Sequence, residues 1–158
     1  MEKNDLYVEK EVWRVEINLA LKNNLEGEIF LFPEPDATIF DRVAKLYEER
    51  EHYIPFRLFD SGKVIQLTKK SIAYFKFSNF KIKTFHQDEN AEFQNLTTLR
   101  IPSKVFFLND HEIKGVIVNE KRGLYNRLSD SLNRANQVIH LETENDTYLI
   151  THHFVSYI

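Results

Sequence analysis

The chain has 158 residues, with 21 Lys and Arg against 24 Asp and Glu, and no cysteine. A net charge of −3 names no special partner, and the missing thiols exclude disulfides and thiolate metal sites, which fits a reducing compartment. Thirteen Phe and seven Tyr beside only four Gly and four Pro argue against disorder, because aromatic rings bury large areas and favour strands.

In chain order, Val12 to Leu21 alternates apolar Val15, Ile17, Leu19 and Leu21 with Glu16, Asn18 and Ala20, the period of a half-buried strand. Lys22-Asn23-Asn24 reads as a tight turn, and Gly27 to Phe32 as the returning strand of a hairpin. Thr38 followed by Asp41 is an N-terminal cap, after which Ile39, Val43, Leu46 and Tyr47 share one face of a helix running to about Arg50. Tyr53 to Phe59, Lys63 to Leu67 and Ser71 to Phe77 are three further strands, the first two joined at Asp60-Ser61-Gly62. The acidic, polar stretch Gln87 to Glu92 is the expected boundary. Beyond it, Lys104 to Leu108, a turn at Asn109-Asp110 and Ile113 to Val118 form a second hairpin. Leu124, Leu128 and Leu132 stripe a short helix, and Val138 to Leu141, Thr147 to Thr151 and Phe154 to Ile158 close the chain with three strands.

This second series repeats the first. Leu67-Thr68-Lys69-Lys70-Ser71-Ile72-Ala73-Tyr74-Phe75 aligns without a gap on Ile150-Thr151-His152-His153-Phe154-Val155-Ser156-Tyr157-Ile158. Upstream, Leu25 to Ile29 matches Ile113 to Ile117 around one glycine, and Arg42 to Leu46 sits where Arg127 to Leu132 sits. The offset falls from 88 to 85 to 83 residues, as loop shortening between matched elements would give. The expected fold is therefore mainly β (α+β), in two tandem copies of a β-β-α-β-β-β unit: residues 1–88, with an N-terminal extension, and residues 89–158. About 80 residues per copy suffice for a small core, so each copy is expected to be a small bent sheet or partly open barrel with one short helix.

The strand-turn-strand around Gly27 resembles small Sm-like barrels, although a helix between the second and third strands departs from their order. Arg127-Leu128-Ser129-Asp130-Ser131-Leu132-Asn133 resembles the R-L-S-D-x-L-N helix of an uncharacterised family of small bacterial domains. That resemblance covers mainly the second copy, is not matched by Arg42-Val43-Ala44-Lys45-Leu46-Tyr47 in the first, and implies no known activity.

Catalytic patterns are absent from the sequence. Glycines only at 27, 62, 115 and 123 allow neither phosphate-cradling glycine motif, and Ser129-Asp130 has no glycine-flanked elbow. His152-His153 would point to opposite faces of a strand and reads as a wet basic turn; no metal site and no cofactor are expected. Arg42 and Arg127 hold matching helix positions and could grip a carboxylate or phosphate, although a structural role for the fork is favoured.

Charge is unevenly placed: residues 1–60 sum to −6, residues 61–87 to +6 and residues 88–158 to −3. In Tyr74 to Lys83, Phe75 and Phe77 oppose Lys76, and Phe80 and Ile82 oppose Lys81 and Lys83, giving a strand one apolar and one basic side. Rings and lysines can hold single-stranded nucleic acid, but edge strands also carry Lys to discourage aggregation. The expected function is a non-catalytic protein-interaction or regulatory module whose partner is another protein. Single-stranded RNA or DNA bound through Lys76, Lys81 and Lys83 is the alternative, and an enzyme with a site between the copies is the third reading. A homodimer paired through an exposed edge is a further expectation. Met1 to Asp5 lacks a secretory start and no stretch nears the roughly 20 apolar residues that span a bilayer, so the cytoplasm and no membrane contact are expected.

Overall fold

The computed structural model describes residues 10–34, 36–78, 98–120 and 138–158. The protein is mainly β, with one α-helix among the described residues. Strands β1 (Glu11–Leu19), β2 (Asn23–Leu31), β3 (Tyr53–Leu58), β4 (Val64–Thr68) and β5 (Ile72–Ser78) enclose helix α1 (Ile39–Glu48) in sequence. Strands β6 (Thr98–Phe107), β7 (Glu112–Glu120), β8 (Val138–Glu142), β9 (Asp146–Thr151) and β10 (Val155–Tyr157) follow. All ten join in one antiparallel sheet of order β10-β6-β7-β8-β9-β5-β1-β2-β3-β4. Each block of five strands has its fifth strand beside its first and its fourth at the far side. Where the sequence suggested two small bent sheets or partly open barrels, the structure has one continuous sheet, because β5 pairs with β9 from Tyr74–Ile150 to Ser78–Asp146.

Local sequence explains most of the elements. Thr38 and Asp41 form a reciprocal cap, the Asp41 amide donating to Thr38 Oγ1 at 3.1 Å and the Thr38 amide to Asp41 Oδ2 at 3.3 Å. Ile39, Val43 and Tyr47 fill the buried face of α1. The first hairpin turns earlier than expected, at Ala20 and Leu21, which have φ of 52° and 61°. Left-handed backbone costs these residues energy, and the compensation is Asn18. Its side chain donates to Asn24 Oδ1 at 2.7 Å and accepts from the Leu21 amide at 2.9 Å, while the Ala20 amide donates to the Ser71 carbonyl at 2.7 Å.

Glycine recurs for a steric reason. A Cβ on Gly27 would lie 2.1 Å from the Arg57 carbonyl oxygen and 2.6 Å from the Phe56 ring. One on Gly115 would lie 2.5 Å from the Glu142 carbonyl oxygen. Each is where the third strand of a block closes on its second, and no side chain fits between them. Between the fourth and fifth strands, both blocks make a single 3-10 turn, at Lys69–Ser71 and His152–Phe154.

Two cores lie on opposite faces of the sheet where the blocks meet. Phe75, Phe77 and Leu149 enter a core with Val15, Ile17, Ile29, Phe56 and the buried face of α1. Tyr74, Tyr148 and Ile150 face the other, built on Val105, Phe107, Ile117, Ile139 and Leu141. Period-two alternation makes this possible, since neighbouring residues of one strand serve different cores. Strand β8 is buried through Val138, Ile139, His140 and Leu141, with Phe40 of α1 stacked on His140 at 5.6 Å. The helix of the first block therefore covers a strand of the second.

The stripe Leu124, Leu128 and Leu132, the R-L-S-D-x-L-N match at 127–133, the boundary at 87–92 and the start at 1–5 lie outside the described residues. Among the described residues, no helix is long and apolar enough to cross a membrane.

Candidate functional site

Of the residues singled out in the sequence, Arg42 and Lys76 are described, while Lys81, Lys83 and Arg127 lie outside the described residues. Arg42 leaves α1 on its buried side, 5% exposed. Its Nη1 pairs with Glu11, its Nη2 donates to the Glu34 carbonyl at 2.7 Å, and the guanidinium lies 5.9 Å from the Trp13 ring centre. The fork ties the helix to β1 and to the chain leaving β2, so its hydrogen-bonding edge is spent within the protein. Nε is buried and unpartnered.

Lys76 lies on the face opposite Phe75 and Phe77, as alternation required. Its ammonium is 3.4 Å from Glu16 Oε2 on β1, 3.8 Å from Asp146 Oδ2 on β9 and 6.0 Å from the Tyr148 ring centre. Burial opposes the charge, but Tyr148, Asp146 and Glu16 together hold the Lys76 pKa above its ordinary value. Tyr74 packs edge-on against Tyr148 at 5.3 Å, and burial raises both phenols above the usual range. At Lys76, the basic strand of the sequence is thus ion-paired to carboxylates on the strands at either side.

A second polar cluster was not visible in the sequence. His140 and Glu142, two residues apart on β8, share a face, and Arg100 of β6 reaches the same carboxylate. His140 Nε2 lies 3.4 Å from Glu142 Oε1 and has no hydrogen-bond partner, although the residue is only 8% exposed. The imidazole, with help from the Arg100 guanidinium, pulls the Glu142 carboxyl down to about 2. This fixes a carboxylate at the covered side of the sheet. Among the described residues no group of three His, Asp or Glu is arranged to hold a metal, and His152-His153 sits on an exposed 3-10 turn.

The two 3-10 turns carry a third set. Lys69 is buried, and its ammonium donates to the carbonyls of Leu46 and Glu49, the latter at 3.4 Å, closing the C-terminal end of α1. Thr151, fully buried, shares its hydroxyl proton between the carbonyls of Ile72 at 2.7 Å and Ala73 at 3.1 Å, across the seam between blocks. Its aligned partner Thr68 is half-buried, does not cap its own turn and has no side-chain hydrogen bond among the described residues. The gap-free alignment at 67–75 and 150–158 was the signal that could have drawn attention to this pair.

Among the described residues the sheet ends on two strands, β4 and β10, each paired on one side only. At one end β4 reads Val-Ile-Gln-Leu-Thr, with Tyr53 and Val64 exposed; at the other β10 reads Val-Ser-Tyr, with Tyr157 and Leu108 exposed. Neither strand carries a charge or a proline to guard its edge. The chain matches no protein-family model, no curated protein and no solved structure.

Proposed function

We propose that the chain is a tandem duplication of a β-β-α-β-β-β unit working as a non-catalytic protein-interaction module in the cytoplasm. Its binding surfaces are the two open edges of the sheet. The observation that carries this reading is the pair of uncharged edge strands, flanked by exposed Tyr53, Val64, Leu108 and Tyr157, at opposite ends of one sheet. Unpaired amides and carbonyls on such an edge accept an added strand, and nearby apolar side chains supply the desolvated contact that makes the addition selective. The neutralised state of Lys76 weighs against nucleic acid as the partner.

The test is capture of the tagged protein from its native cell, with and without nuclease. A protein partner retained after nuclease and lost on Val64→Lys or Tyr157→Lys substitution is the expected outcome. Recovery of nucleic acid alone, released by high salt, overturns the reading in favour of Lys76 and the lysines beyond it.

A further inference from the structure

We propose that the partner at these edges is a second copy of this chain, docked head to tail, with β4 of one molecule paired to β10 of the next. This rests on the interaction-module reading and names its occupant. The argument begins with the seam already present in the molecule, where β5, the fifth strand of one block, pairs with β9, the fourth strand of the other. Among the described residues, the strands with one edge left open are the other fourth strand, β4, and the other fifth strand, β10. Each end therefore presents what the opposite end needs.

Two of the five seam pairs have counterparts at this contact, and their register carries over. The 83-residue offset turns Tyr74–Ile150 into Tyr157–Leu67 of a neighbouring molecule, and Phe75–Leu149 into Ile158–Gln66. It also turns the bonds from Thr151 to the Ile72 and Ala73 carbonyls into bonds from Thr68 to the Val155 and Ser156 carbonyls. A threonine stands at both positions, yet within one molecule only Thr151 has this work to do. The side chains agree. Tyr74 is packed on Tyr148 and Phe107 at the internal seam, whereas its counterpart Tyr157 is 59% exposed. A docked copy would cover Tyr157, and with it the apolar group at each end.

Because the two surfaces differ, the contact is heterologous and each added molecule offers the same free end again, so the product is a closed ring or an open filament, not a two-fold dimer.

Sedimentation velocity on the purified full chain tests this. The wild type is expected to show species larger than a dimer that grow with concentration. Thr68→Lys, which blocks the β4 end, and Tyr157→Lys, which blocks the β10 end, should each be monomeric. Mixed in equal amounts they should form a dimer and nothing larger, since each retains the end that the other lacks. Thr68→Val removes only the hydroxyl, keeps the fold as judged by an unchanged melting temperature, and should weaken association about ten-fold. A wild type that stays monomeric overturns the proposal, as does either blocked variant that still dimerises alone, the sign of an isologous contact. A monomer that still captures another protein after nuclease would sink self-assembly while sparing the interaction reading, and one that captures none would sink both.

Discussion

The two 3-10 turns have the same backbone and aligned sequences, yet they do different jobs. In the first block Lys69 turns inward to satisfy the end of α1, while Thr68 is half-exposed and has no side-chain hydrogen bond among the described residues. In the second, His152 is exposed and Thr151 is fully buried, clamping β5. Position in the sheet decides which residue of the pair is used, because only the second turn lies against another block. Local sequence sets the turn; the neighbouring strand sets its worth.

The comparison between blocks can be broken most forcefully at the matched glycines. Gly27→Ala should destabilise the protein by about 3 kcal/mol and Gly115→Ala by less, about 2 kcal/mol, since the first Cβ meets both a carbonyl and the Phe56 ring at shorter distance. Urea unfolding measures both, and equal losses would show that the two bends are not differently packed. Smaller losses are expected at the threonines. Thr151→Val should cost about 1.5 kcal/mol through the lost seam bonds, whereas Thr68→Val should change the stability of the isolated molecule by less than about 0.5 kcal/mol. Equivalent losses would mean that Thr68 already has a structural partner within the molecule.

A further effect is confined to acid. Glu142 has its folded pKa depressed from 4.5 to about 2, so its contribution is complete above the unfolded value and is lost as pH falls from about 4.5 towards 2. Allowing for solvent screening, wild type should lose about 1 to 2 kcal/mol more than Glu142→Gln over that interval. Stability curves that stay parallel to pH 2 would remove the His140–Glu142–Arg100 cluster from the account.

Much of the mainly β architecture was legible in the sequence because it rests on local signals. Alternation marked the strands, the Thr38–Asp41 cap started α1 where expected, and the return of Gly27 as Gly115 reflected one steric demand met twice. Tertiary terms account for what was missed. Nothing in Ala20-Leu21 announces a left-handed turn, which depends on the reach of Asn18 to Asn24. Lys76 looked basic because the acids that neutralise it, Glu16 and Asp146, arrive from strands distant in sequence. The joining of blocks was hidden for the same reason, since the bond from Thr151 to the Ile72 carbonyl spans 79 residues. That distance also separates the candidate edges from any sequence motif, as an edge is defined by which strands fail to pair.

The placement of two cores on opposite faces of β5 and β9 bears on how the chain finds its native alignment. Sliding β5 past β9 by one residue would deliver Tyr74 to the pocket of Phe75 and Phe77 to the wet side occupied by Lys76, spoiling both cores at once. Sliding by two restores the alternation but carries Thr151 off its carbonyls and shifts every ring by a full repeat. The seam thus behaves as a lock keyed from both sides, with no shallow near-miss beside the native state. Its closure joins segments far apart along the chain, so the entropy of closing that long loop opposes the seam until its contacts form.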